Sequence, residues 1–159
     1  MEDEKAKALL VQAIKDRGTI YLEVFRELSD RFDQATAIEV MRAASGAVGR
    51  KVGQSLSHLA PDDFEGMAAI WACALDCKLA YAADLRRLDD TGFEVKMMAC
   101  PLKQSWVEAG CSEDEICTLL HCASAYDEAA LEAAGFDFDL ELWAPGKEGC
   151  CRTVVREKG

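Results

Sequence analysis

Eight cysteines in a chain of 159 residues are the side chains with the most chemistry to offer. A thiolate is a nucleophile and a soft metal ligand, whereas a buried thiol is simply a small apolar group. Cys73 and Cys77 lie mid-chain, and Cys100, Cys111, Cys117, Cys122, Cys150 and Cys151 all fall in the last 60 residues. Cys100 precedes a proline, Cys117 and Cys122 flank His121, and Cys150-Cys151 follow a glycine. Thiolates that converge on one point hold zinc, copper or iron–sulfur clusters.

Spacing narrows the set. There is no CxxC pair, and Cys117 and Cys122 are separated by about 500° of helix, so their side chains diverge by about 140°. Neighbours in a strand face opposite ways, so one of Cys150 and Cys151 is expected to face a given site. A single centre then draws on Cys100, one of Cys117 and Cys122, and one of Cys150 and Cys151. Three thiolates with a fourth position for a protein ligand or water is the open arrangement of a catalytic zinc, and structural thiols are the plainer use of the same residues. Cys73 and Cys77, four apart beside Trp71 and Leu75, read as core packing. Cys111 reads as an exposed turn residue. Asp127 could be a general base, a hard ligand or a surface carboxylate, and the surface is where aspartate mostly sits. His58 and His121 suggest no His/Asp relay. A phosphate-binding glycine loop, GxSxG and HExxH are all missing, which disfavours nucleotide chemistry and the common hydrolase scaffolds.

The elements that would position these residues form an α+β pattern. Residues 1–90 read as helical throughout. One helix covers Lys5 to Leu28 with a break or kink at Gly18, a second covers Gln34 to His58, and a third runs from Pro61 to about Leu88. Gly46, Gly49 and Gly53 share a face of the second helix, which predicts a close helix crossing, with an approaching ligand as the alternative. Residues 91–159 then read as strand, helix and hairpin. Phe93 to Ala99 alternates, Ser112-Glu113-Asp114-Glu115 is a capping box, and Gly135 is the matching stop. Phe136–Trp143 and Cys150–Arg156 form the hairpin, and an antiparallel sheet of at least three strands is expected because a lone hairpin is marginal. Helices first and strands later, without a linker or repeat, predict one α+β domain.

Composition bounds the rest. Half the residues are hydrophobic and 30% are charged, a globular balance. The net charge of −11 repels phosphate backbones and anionic lipid, so neither nucleic acid nor a membrane surface is expected as a partner. The acidic start and the lack of an apolar run near 20 residues predict a cytoplasmic protein with reduced thiols.

Several motifs in order carry a family resemblance. Cys100-Pro101-Leu102 ends a strand, and Trp106 and Gly110 follow. A Ser112-x-x-Glu115 helix start leads to Cys122 and Asp127, and Gly149-Cys150-Cys151 enters the last strand. Over roughly residues 60–156 the chain resembles the L-2-amino-thiazoline-4-carboxylic acid hydrolase-like family, its N-terminal helices matching only in general character. The resemblance implies a hydrolase acting on a cyclic C–N bond, opening a small ring at a carbon bonded to nitrogen and sulfur, as in conversion of an aminothiazoline to N-carbamoyl-cysteine. It implies functional roles for Cys100, Cys122, Asp127 and Cys151, with Cys150 the alternate and Cys100 and Asp127 catalytic. Two routes fit: a thiolate-bound metal activating water, with Asp127 moving the proton, or direct attack by a cysteine. The extra thiols Cys73, Cys77, Cys111 and Cys117 support a second class, a non-catalytic metal-binding, iron–sulfur or redox-responsive thiol protein. The expected partners are a small-molecule substrate, zinc or another thiophilic metal, and a second copy joined through the N-terminal helices.

Overall fold

The computed structural model describes residues 2–159. Helices α1 (Glu2–Arg31) and α2 (Gln34–Leu56) pack on each other across a short link, where the Asp33 carboxylate accepts the Thr36 amide at 2.7 Å and caps α2. Gly18 does not break α1. Its carbonyl accepts the indole N–H of Trp106 at 2.7 Å, and a Cβ at this position would overlap the Ser105 hydroxyl. The glycine therefore serves the approach of helix α5 (Pro101–Glu108), on which both Ser105 and Trp106 lie. Helix α6 (Glu113–Ala134) has the expected capping box between Ser112 and Glu115, and Gly135, at φ +94°, terminates it.

The dominant helix contact is α2 against α6. A Cβ at Gly49 would overlap the Tyr126 carbonyl and one at Gly53 the Ala130 carbonyl, whereas one at Gly46 would meet Ala125 O at 3.5 Å. The shared glycine face is thus a close helix crossing.

The third expected helix is corrected. It divides into α3 (Phe64–Trp71) and α4 (Leu75–Ala80), and residues 83–89 form strand β1 (Ala83–Asp89). Asp89-Asp90-Thr91-Gly92 is then a hairpin turn into β2 (Gly92–Met97), with the Asp89 carboxylate accepting the Thr91 amide at 2.8 Å. Two features hide β1 from its sequence. It is an edge strand rich in charge, and a register shift between Leu85 and Arg87 interrupts its period-2 pattern. The hairpin of β3 (Phe136–Glu141) and β4 (Arg152–Glu157) forms as expected, and the antiparallel sheet has four strands in the order β1-β2-β4-β3. The architecture is α+β.

Two apolar clusters carry the structure. One joins α1, α2, α5 and α6 through Leu22, Phe25, Trp106 and Leu119, and includes Cys100, Cys122 and Cys150. The other packs α3 and the end of α6 on the sheet through Phe64, Met67, Leu131, Phe136 and the cross-strand pair Phe93–Val155. Burying each large side chain contributes about 1.5–3 kcal/mol. Met97, at the end of β2, packs against both clusters.

The helix crossing is testable by equilibrium unfolding. Gly49→Ala and Gly53→Ala should each lose about 1–3 kcal/mol by overpacking, despite alanine's higher helix propensity. Gly46→Ala should be neutral or gain up to about 1 kcal/mol, because its Cβ has room. Stabilisation by all three would contradict the crossing.

Candidate active site

The site is built around the end of β2. The Met97 amide donates to Cys151 O at 2.9 Å, and the Met97 carbonyl accepts the Cys150 amide at 2.8 Å. Lys96 Nζ donates to Cys150 O at 2.8 Å, and Lys103 Nζ donates to Gly149 O at 3.0 Å. Lys96 is only 8% exposed, so its ammonium is placed for this one carbonyl rather than for solvent. Together these bonds hold the Gly149-Cys150-Cys151 segment beside the residues that lead into α5.

Cys100 is the N-cap of α5, with Pro101 at the first helical position. Its Sγ accepts the Lys103 amide at 3.5 Å. The neighbouring Cys150 thiol, then the amides of Lys103 and Leu102 and the Lys103 ammonium, hold the Cys100 thiol below its ordinary pKa against the opposing effect of burial. A helix N-terminus with free amides is a recognised way to make a thiolate. Cys150 is shifted the other way: its hydrogen bonds with Cys100 and Cys151, followed by burial, keep it protonated. Cys150 Sγ and Cys151 Sγ are 3.6 Å apart. The expectation that only one of these two faces the site is corrected. Both precede β4, which begins at Arg152, so the alternation of a strand does not govern them.

All three thiols line a cavity of about 410 Å³. That volume suits a small organic substrate. Its walls include Trp71 and Leu140, and its polar groups include Arg17, Tyr81 and Asp127. Asp127 lies on α6 and is not a surface carboxylate. Burial first, and then the Glu128 carboxylate, raise its pKa to about 7, with Arg17 opposing. Arg17 Nη2 donates to the Tyr81 hydroxyl at 3.3 Å, and burial followed by the Cys100 charge keeps that phenol protonated. A thiol with a lowered pKa, a carboxyl that titrates near neutrality and a guanidinium therefore face one space.

The remaining candidates lie elsewhere. Cys117 does not line the cavity, and its Sγ is 3.9 Å from Trp143 O. Cys122 is fully buried in the helical cluster, where burial raises its pKa to about 11. Cys77 lines the cavity instead of only packing the core, and burial, then Asp76, raise its pKa to about 11. Among the described residues no group of three or more His, Cys, Asp or Glu side chains could hold a metal ion. Among the described residues no helix is long and apolar enough to cross a membrane.

Arg17, Tyr81 and Cys77 were not singled out as site residues from sequence. Arg17 and Tyr21, both lining the cavity, are one helical turn apart on α1. That spacing is a usable signal only once the facing elements are known.

The raised pKa of Asp127 has a consequence for stability. The unfolded chain loses this proton near pH 4 and the folded chain near pH 7, so the folded state binds more protons between them. Stability therefore falls as pH rises through that window, and the deficit is complete above it. Asp127→Asn should raise Tm at pH 8, by about 2–4 °C for each kcal/mol recovered. It should give no such gain below about pH 4. Equal shifts at both pH values would show an ordinary carboxylate.

No curated protein and no solved structure matches the chain. The model of one family, L-2-amino-thiazoline-4-carboxylic acid hydrolase, matches residues 12–152. The match begins inside α1, so it takes in the N-terminal helices and Arg17 as well as the cysteine-bearing half. By a match over nearly its whole length, this chain belongs to the L-2-amino-thiazoline-4-carboxylic acid hydrolase family.

Proposed function

We propose that the chain opens a 2-aminothiazoline-4-carboxylate-like ring by covalent catalysis, with Cys100 as nucleophile and Asp127 as the group that moves protons. The observation that carries this reading is the cavity shared by the helix-capping Cys100 and the half-buried Asp127.

The chemistry balances without a metal. The Cys100 thiolate attacks the amidine carbon, which is bonded to two nitrogens and the ring sulfur. Collapse of the tetrahedral adduct expels the ring sulfur, and protonated Asp127 donates its proton to that leaving thiolate. The opened substrate remains on Cys100 as an isothiourea. Asp127, now a carboxylate, takes a proton from water as the water adds to the same carbon. Expulsion of the Cys100 thiolate leaves the N-carbamoyl product, and the net change is addition of one water. The ring bond that breaks on this route is C–S, in place of the C–N bond expected from sequence. A carboxyl with a pKa of about 7 suits both halves, since it can give and take a proton near neutrality.

Arg17 supports the substrate assignment. It lines the cavity, and its bond to Tyr81 leaves guanidinium donors for a carboxylate such as that of the substrate.

Kinetics on 2-aminothiazoline-4-carboxylate test this reading, with the released thiol as the signal. Cys100→Ser should abolish turnover, whereas Cys117→Ala, outside the cavity, should retain it. Arg17→Met should raise KM about 10–100-fold, the value of one charge-assisted hydrogen bond to the substrate carboxylate. An active Cys100→Ser variant would overturn the assignment of the nucleophile.

A further inference from the structure

Covalent hydrolysis needs one thiolate, yet this site fixes two more thiols beside it. The amides at the start of α5 already support Cys100. Cys150 lines the same cavity as Cys100 and belongs to the same buried cluster. Cys150 is 1% exposed, and two backbone bonds to Met97 and two lysine bonds to the carbonyls of Gly149 and Cys150 immobilise its segment. A nucleophilic cysteine with a second thiol held against it is the arrangement of a peroxide-reactive cysteine and its resolving partner.

We propose that Cys100 reacts with hydroperoxides and that Cys150 resolves the product as a reversible Cys100–Cys150 disulfide, which switches the hydrolase off. The proposal rests on the reading of Cys100 as the nucleophile of the site. Hydrogen peroxide is the oxidant. The Cys100 thiolate attacks one peroxide oxygen, the O–O bond breaks, and the departing hydroxide takes up a proton to leave as water. Cys100 is then a sulfenic acid. The Cys150 sulfur attacks Cys100 Sγ, the S–S bond forms and the S–O bond breaks. Hydroxide leaves with the Cys150 proton as the second water. Two thiols lose two electrons in all, and one peroxide gains them.

Cys150 is the partner, rather than Cys151, because it shares the buried cluster with Cys100, whereas Cys151 is only partly buried and packs against that cluster. A Cys150–Cys151 disulfide is the competing product, and backbone geometry disfavours it. Adjacent Cα atoms are about 3.8 Å apart across a trans peptide. Disulfides usually need about 4.4–6.8 Å. The hydrogen bonds that fix both residues to Met97 oppose the required distortion. Oxidation consumes the nucleophile and places a covalent bridge at the cavity wall, so substrate can neither react nor reach its former position.

The test is a non-reducing peptide map of the full chain, with ring-opening activity measured in parallel. Both are recorded before peroxide, after peroxide, and after dithiothreitol. The expected result is one new linkage, Cys100 to Cys150, with loss of activity in proportion and full recovery on reduction. Cys100 carried to sulfinic acid with Cys150 free, a Cys150–Cys151 linkage, or an unmodified Cys100 would each overturn the proposal. In Cys150→Ala the same treatment should over-oxidise Cys100 and inactivate irreversibly, and recovery by dithiothreitol would overturn the resolving role. If that buried substitution prevents folding, the wild-type map decides alone. The map needs no substrate, so a linkage formed in a chain that opens no ring would remove only the hydrolase reading. Ring opening without the linkage would remove only the switch.

Discussion

Two hydrogen bonds made by the Met97 backbone set the geometry on which the site depends. One joins its amide to Cys151 and the other its carbonyl to Cys150, and they tie two segments far apart in sequence. One segment ends β2 and delivers Cys100 to the start of α5; the other enters β4 and delivers the vicinal thiols. The side chain of the same residue packs against both apolar clusters. Displacing the β2–β4 register would therefore disturb the sheet, the thiol group and the cavity wall together.

Electrostatics divide the labour among groups that look alike in sequence. Cys100 and Cys150 are buried thiols of one cluster, yet helix amides and an ammonium support charge on the first while the second keeps its proton. Asp127 is half-buried and has no salt-bridge partner among the described residues, so its proton becomes available near neutrality. Arg17 is close enough to oppose that shift but donates to Tyr81. Burial raises the carboxyl to about 7, while the neighbouring Cys150 thiol and the helix amides lower the Cys100 thiol from its ordinary value.

Much of the scaffold is readable from local chemistry. The Ser112/Glu115 box, the Gly135 stop, the alternating hairpin and the Gly46-Gly49-Gly53 face each carry their own physical signature, and each appears in the structure. Strand β1 does not, because a charged edge with a bulge after Leu85 resembles a helical continuation. The site was readable in part. Cys100, Cys150, Cys151 and Asp127 line one cavity, but what each does there depends on contacts that spacing does not encode. Cys117 and Cys122, five residues apart on α6, both lie outside the cavity lining. Strand alternation misjudged Cys150 and Cys151, which sit before the strand begins. Arg17 and Tyr81 are 64 positions apart and meet only through the packing of α1 on α4.

The most direct test of covalent catalysis is a rapid-quench measurement of intact mass under single-turnover conditions with 2-aminothiazoline-4-carboxylate. The account predicts a transient species heavier by the whole substrate, because ring opening leaves both halves attached, with the added mass mapped to Cys100. Product formation through the full time course with no adduct on Cys100, or an adduct on another cysteine, would contradict it.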